Sequence, residues 1–555
     1  MFNFVIQSTF KIVFKMKNRY AKFFLPLLLA ILSLNVFAQD KSAEVDKLLA
    51  FATGTTPGAV VAISQNGKVI YQKAVGLADV EKGKAVELGS VFDIGSSRKQ
   101  FVAAAILLLV GDKKLSLSDD VVKFFPALPN YGNKITIDHL LTHTSGIRDW
   151  TGLQGLAADD PDAMTLIMRQ KGLNFPPGEQ WSYSNSGYVL LAEIVAKVSK
   201  MPFSEFLSKR IFSPLGMKSS SYVMDLRGDI PNRAMGYRKN QGSFVKHMLL
   251  DNDRGGAGAL FSTAGDLLLW NDALTSGKLG KVVTARLMEH TKLNNGRILD
   301  YGRGLVLEGN LIWHSGGAAG YHSWIGRVPE LGLSVSVLCN SDLIAASALA
   351  DKVLNIFAPG AGKQKGEDGP PPVLTGEALV DAKKYAGLFV SETGEILRLT
   401  VDRDRFRVTG GPGLTEVSKG KFRRWGSSVF FMSQDAFVLN FVSESEISLL
   451  TMEGKTIRYK RAAAYAPSSA ELADFAGKFY SKEVGAGFDF TSGSGVLIGK
   501  SGEKGEPITF VPIFKDTFQI AGIVIRFVRN GSGKVISLNF SNPVVQNITF
   551  QRYVN

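Results

Sequence analysis

Gly95-Ser96-Ser97-Arg98-Lys99-Gln100 leads directly into Phe101-Val102-Ala103-Ala104-Ala105-Ile106-Leu107-Leu108-Leu109-Val110, a run without a charge. A surface helix carries a polar face at a 3.6-residue period. This run has none, so it predicts a helix from Ser97 to Val110 that is buried on every side. Ser96 and Lys99 stand three apart at its entrance and share one helical face, which lets the amine approach the hydroxyl. A serine hydroxyl is a weak nucleophile that needs a base, and a lysine whose ammonium is disfavoured by burial can be one. The start of a helix also directs backbone N–H groups toward a developing oxyanion. The spacing alone is common, and Ser501 to Lys504 repeats it in a Gly-rich turn.

Outward from this stretch, Ala59 to Ser64 and Lys68 to Lys73 are β-rich runs joined by Gln65-Asn66-Gly67, where Asn-Gly predicts a tight hairpin. Helical patterns dominate from there to about residue 290, among them Ile137 to Leu141, Gly187 to Val198 and Phe203 to Ile211. Strand signals return at Leu311 to Trp313, Tyr321 to Val328 and Leu333 to Leu338, before a helical run from Asp342 to Phe357. A sheet built from both ends of this region around a helical middle is an α+β fold with an antiparallel sheet flanked by helices and a helical second lobe.

Pro359 to Pro372 contains three consecutive prolines and reads as a linker. Beyond it come short strands with turn signals every eight to twelve residues, and an internal repeat. Tyr385-Ala386-Gly387-Leu388-Phe389 recurs as Phe475-Ala476-Gly477-Lys478-Phe479, and Ile457-Arg458-Tyr459-Lys460-Arg461 as Ile548-Thr549-Phe550-Gln551-Arg552. The expected division is a leader at 1–38, a catalytic region at 39–358, a linker at 359–378, and all-β C-terminal modules at 379–464 and 465–555. Neither module carries His or Cys, so chemistry is expected upstream.

The chain has 555 residues, 45% of them hydrophobic and 21% charged, which is the balance of a folded protein. Five of its 64 Lys/Arg lie in residues 1–38, with no acid among them, so the formal charge of +14 falls to +9 beyond that point. Spread over the remaining length, with no run of five like charges and no basic stripe with interleaved aromatics, this argues against a nucleic-acid partner. Lys17 to Lys22 followed by the apolar Phe23 to Phe37 has the plan of a secretory signal, with Val36 and Ala38 as small residues for cleavage after Ala38. Export to a periplasm or the medium is expected, with no stable membrane span once the leader is removed. The single cysteine, Cys339, sits in an apolar run and reads as a buried core residue. The six histidines show no His-Glu-x-x-His spacing, so no metal is called for, and no Gly-rich phosphate loop follows a strand. No cofactor is expected.

Two further constellations carry chemistry. Tyr183-Ser184-Asn185 follows Pro176-Pro177-Gly178 and opens a helix; a tyrosine near a lysine can relay a proton, and an asparagine amide can bond a substrate carbonyl and the lysine. Tyr131-Gly132-Asn133 has the same form in a polar loop and reads as a surface turn. His314-Ser315-Gly316-Gly317 is placed at the end of the strand Leu311 to Trp313. Glycines there let a ligand approach the backbone, the Gly317 N–H can join that of Ser96 as an oxyanion donor, and His314 adds a titratable donor.

In this order and spacing the three motifs resemble the serine β-lactamase and penicillin-binding superfamily, in particular its class C β-lactamase-like branch. Phe92 to Phe101, Leu140 to Gly146, Trp181 to Tyr188 and Gly256 to Asp266 also look like that branch. The resemblance implies Ser96 as the acylated nucleophile and Lys99 with Tyr183 as the proton-transfer pair. It further implies Asn185, His314, Gly316 and Gly317 as substrate-binding residues, with the N–H groups of Ser96 and Gly317 as the oxyanion hole. True class C β-lactamases carry lysine where this chain has His314, and histidine there is similar to DD-peptidases, D-aminopeptidases and carboxylesterases of the superfamily. The C-terminal modules resemble the lipocalin-like extensions of some of those relatives. The implied function is an exported acyl hydrolase that acts through an acyl-enzyme on amides or esters of a small-molecule or peptide substrate, D-amino-acid peptides or carboxylesters foremost. The alternatives are a β-lactamase and a non-catalytic binder of cell-wall peptides or β-lactams.

Overall fold

Asn66 and Gly67, at φ of 52° and 75°, turn strand β1 (Ala59–Gln65) back into β2 (Lys68–Val75), as the Asn-Gly pair predicts. In this computed structural model the hairpin is completed by strands from far along the chain: β3 (Val306–Glu308), β4 (Leu311–Ala318), β5 (Tyr321–Val328) and β6 (Leu333–Cys339). The sheet order is β3-β4-β5-β6-β1-β2, antiparallel throughout. The structure describes residues 41–553 apart from 53, 158–160, 248–257, 343–344, 363–372, 393–394, 409–412, 425–436, 452–455, 464, 494, 503–504 and 521. The leader at 1–38 and the centre of the expected linker therefore lie outside the described residues, as does the lysine of the Ser501 to Lys504 motif.

Side chains alternate across β1, and the two faces feed two cores. Val60 and Ala62 join the large core under the helical lobe, while Ala59, Val61 and Ile63 pack with Leu349, Val353 and Leu354 of a helix over Ala346–Phe357. Cys339 is buried in this second core. Helix α1 (Lys99–Gly111) is buried along almost its whole length, entered through one 3-10 turn at Gly95–Arg98. Around it stand α2 (Ile137–Leu141), α3 (Asn185–Ser199) and α4 (Ala264–Ser276). The middle region is less uniformly helical than its pattern suggests. Short strands at Ser221–Val223, Tyr237–Asn240, Ser243–Lys246 and Ala259–Ser262 interrupt it, and the last of these pairs with Phe92–Asp93, an association no local pattern signals.

Beyond residue 375 each repeat opens with a helix, at Gly376–Tyr385 and Ser469–Phe475. The first continues as an eight-stranded antiparallel sheet and the second as a closed eight-stranded barrel. The repeated glycine and arginine explain each other. Arg461 lies 4.6 Å from the centroid of the Phe389 ring and donates to the Ala386 carbonyl at 2.8 Å. Arg552 takes the same position over Phe479 and donates to the Ala476 carbonyl. A Cβ at Gly387 would overlap the Arg461 guanidinium, and one at Gly477 would come within 2.9 Å of that of Arg552.

Candidate active site

Strand β4 and the turn before α1 meet backbone to backbone. A Cβ at Gly316 would overlap the Ile94 carbonyl oxygen and lie 2.8 Å from Ser96 N; one at Gly95 would lie 2.8 Å from Gly317 N. Only glycines allow this approach, which places Ser96 N and Gly317 N at the same backbone contact. The strand is longer than its apolar run. It continues through Ala318 because the glycines pair with β5, so the motif from His314 to Gly317 lies inside β4 and not after it. Ser97, the other serine of the turn, is fully buried; its hydroxyl donates to the His314 carbonyl at 3.3 Å and lies 2.8 Å from Ser323 Oγ, a structural tie. Ser96 is only partly buried.

Lys99 is 1% exposed. Its Nζ lies 3.4 Å from Ser96 Oγ, donates to Asn185 Oδ1 at 2.8 Å, and sits 4.5 Å from the centroid of the Tyr183 ring. Burial pushes the Lys99 amine well below its ordinary range, Arg98 pushes the same way, and the Asp149 carboxylate opposes both. Burial acts on Tyr183 in the opposite sense and raises its phenol far above the usual value, against a smaller pull from its hydrogen bond with Ser96. The amine is thus the group disposed to take a proton and the phenol the group disposed to hold one.

Tyr183 and Asn185 are delivered by the start of α3. Ser184 is the N-cap, its hydroxyl accepting from Gly187 N at 3.3 Å, and the Asn185 N–H donates to Asp149 Oδ2. Asp149 Oδ1 in turn accepts from the Thr151 N–H and hydroxyl at 2.9 and 2.6 Å. The Tyr183 ring packs on His143, with centroids 4.4 Å apart. His143 holds a left-handed backbone, φ 60°, in the loop after α2, a strained conformation of the kind found at functional sites.

His314 is fully buried. Its Nδ1 lies 2.6 Å from the Ser315 carbonyl oxygen and its Nε2 lies 3.3 Å from the Tyr301 hydroxyl. Burial, with Lys99 nearby, lowers its pKa to about 3, so the titratable donor expected at this position is a neutral imidazole at ordinary pH.

The residues read from the sequence, Ser96, Lys99, Tyr183, Asn185, His314, Gly316 and Gly317, converge on one place. Tyr131 does not; its hydroxyl donates to the Gln170 carbonyl at 3.1 Å. The reading missed Asp149, His143 and Tyr301. His143 lies in the stretch Leu140 to Gly146 already singled out, whereas nothing local marks Asp149 or Tyr301. Among the described residues no group of three or more His, Cys, Asp or Glu side chains is arranged to hold a metal, and no helix is long and apolar enough to cross a membrane.

A family model described as Beta-lactamase matches residues 43–357. Penicillin-binding protein 4* of Bacillus subtilis (strain 168) is 31% identical over 319 residues, covering 51% of this chain and 68% of that one. A D-aminopeptidase of Brucella anthropi is 27% identical over 465 residues, covering 80% of this chain and 82% of the relative, so the likeness extends into the C-terminal modules. The crystal structure of SurE shares the fold over 94% of this chain and 100% of its own, with a TM-score of 0.50 and 19% identity.

Proposed function

The chain belongs to the beta-lactamase family and is a serine hydrolase of that family, and from this premise we propose that it hydrolyses amide or ester bonds of D-amino-acid-containing peptides or carboxylesters, with Ser96 as the nucleophile. The observation that carries the reading is the buried Lys99 amine, held between Ser96 Oγ and Asn185 Oδ1 with its proton affinity depressed. Lys99 takes the Ser96 proton as Oγ adds to the substrate carbonyl. The oxyanion forms between the N–H groups of Ser96 and Gly317. Tyr183 gives its proton to the leaving nitrogen or oxygen and recovers one from Lys99, which leaves an acyl-enzyme and a neutral amine. Water then repeats the sequence in reverse and frees the acid. Asn185 holds the lysine and the substrate carbonyl.

The neutral His314 supports substrates that need no cation at this wall, since a lysine there would attract the carboxylate of a β-lactam and an uncharged imidazole does not. The D-aminopeptidase relative matches over both catalytic and C-terminal regions, which supports the peptide arm. In the proposed organisation residues 1–38 are a cleaved export signal, 39–358 the catalytic unit, 359–378 a linker, and 379–464 and 465–555 the two β modules.

The test is intact mass spectrometry of the mature protein and its Ser96→Ala variant with a chromogenic β-lactam, beside rates on D-aminoacyl anilides and nitrophenyl esters. A lasting adduct on the wild type alone, or anilide or ester turnover lost in Ser96→Ala, is the expected result. Rapid β-lactam turnover with neither anilide nor ester hydrolysis would replace this substrate class with the β-lactam one. An unchanged rate in Ser96→Ala would remove Ser96 as nucleophile.

A further inference from the structure

Three segments distant in sequence meet behind Tyr183: the loop after α2 bearing His143, the segment before β3 bearing Tyr301, and β4 bearing His314. Their polar atoms form a chain with one consistent set of protons. The Ser184 N–H donates to His143 Nδ1 at 3.0 Å, so that nitrogen carries no proton. A neutral His143 then has its proton on Nε2, which lies 3.1 Å from the Tyr301 hydroxyl. At the other end His314 Nδ1 lies 2.6 Å from the Ser315 carbonyl oxygen, a contact that requires a proton on Nδ1 and leaves Nε2 as an acceptor. The Tyr301 hydroxyl faces that Nε2 at 3.3 Å. It therefore accepts from His143 and donates to His314.

We propose that Tyr301 is a positioning residue of the catalytic centre, whose hydroxyl bridges the Nε2–H of His143 and the bare Nε2 of His314, in the tautomers their backbone partners set, and so holds both rings in the wall on which Tyr183 rests. The Tyr183 ring packs 4.4 Å from His143 and 6.5 Å from His314, and Trp181 closes the same cluster. The other ionisable groups facing the chain are Lys99, over the Tyr183 ring, and Tyr188, whose own proton goes to the Leu141 carbonyl at 2.7 Å and whose oxygen is a second acceptor beside His314 for the Tyr301 proton. One consequence revises the expectation for His314. Its single N–H is committed to backbone and its Nε2 to Tyr301, so this wall meets substrate by shape and offers it no imidazole N–H.

The inference rests on the proposed function only where it invokes catalysis, and the tautomers are measurable without any substrate. The experiment is long-range 1H–15N correlation of the histidine rings in the full chain labelled with 15N-histidine, the two rings being assigned through His143→Gln and His314→Gln. The expected spectrum has His143 as Nε2–H and His314 as Nδ1–H, with neither ring titrating between about pH 5 and 8. In Tyr301→Phe each ring should keep the tautomer its backbone partner sets while the Nε2 resonances of both shift with loss of the bridge, and kcat should fall by about 10- to 100-fold with KM little altered, as for a misplaced catalytic group. The opposite tautomer at either ring of the wild type would overturn the proposal, and this holds even if Tyr301→Phe fails to fold. So would a Tyr301→Phe protein whose Nε2 resonances and kcat match the wild type. Absence of hydrolysis on every substrate, with the expected spectra of wild type and Tyr301→Phe, would count against the proposed function and leave the bridge standing.

Discussion

A lysine in an apolar interior is held at a cost, and here that cost and the proposed chemistry have the same origin. Burial disfavours the Lys99 ammonium, which disposes the amine to act as a base in the proposed chemistry. Its folded pKa is lowered relative to the unfolded chain, so kcat/KM should rise with pH through the folded value and stay level above it. Lys99→Met should remove about 10²- to 10⁴-fold of the acylation rate, read as adduct formation by mass spectrometry. Between the folded pKa and the unfolded value of about 10.4 the unfolded chain binds the extra proton, so stability rises with pH across that window. Lys99→Met should lack that rise in denaturant titrations. His314, near 3 when folded against about 6.5 unfolded, has the same sign: its contribution is complete above about pH 6.5 and is lost as pH falls toward 3. Replacing it with Gln should flatten the acid side of the stability curve.

At the scale of elements, the contact between β4 and the turn before α1 brings together the two backbone N–H groups proposed as oxyanion donors. Gly316→Ala places a methyl group onto the Ile94 carbonyl and against Ser96 N, and neither is the far end of a flexible side chain. The expected outcome is a loss of about 10²- to 10³-fold in kcat, as when one oxyanion donor is removed, with a lowered melting temperature measured on the same sample. The reach of β4 was not legible. Glycine is depleted in strands, so a pattern reading ends at Trp313, while the pairing of Gly316 with Ser323 and Gly317 with His322 carries the strand to Ala318. The buried helix α1 and the β1–β2 hairpin were legible, because an uncharged run and an Asn-Gly turn are local signals.

Across the whole molecule the two repeated modules differ in their attachment. The first has its own core around Phe389, Phe406 and Phe422. The second shares a continuous core with the catalytic region and binds it through polar contacts. Arg148 Nη1 meets Glu483 Oε2 at 2.7 Å, both side chains largely buried, and Glu483 Oε2 also accepts from the Lys171 N–H at 2.7 Å. Asn174 and Gln546 are joined side chain to backbone at 2.8 Å, and Asp149 N donates to the Val544 carbonyl at 3.3 Å. Removing one partner of a buried pair leaves an uncompensated charge, so Glu483→Ala should cost about 3–5 kcal/mol in denaturant unfolding of the full chain. Arg148→Met with Glu483→Leu should recover much of that loss.

Written at short range in the sequence are the Ser96 and Lys99 spacing on one helical turn, the order of the three motifs, the hairpin, and the repeated glycine and arginine of the two modules. How those groups are held, and the direction in which burial moves their proton affinities, come from packing. Whether Lys99 or Tyr183 holds the proton depends on burial, which no spacing encodes. Asp149 reaches the site through the Asn185 backbone, and Tyr301 through two histidines more than 150 residues apart. Desolvation and hydrogen bonding are properties of a packed interior, and the chain acquires them only when its ends are folded around the helical middle.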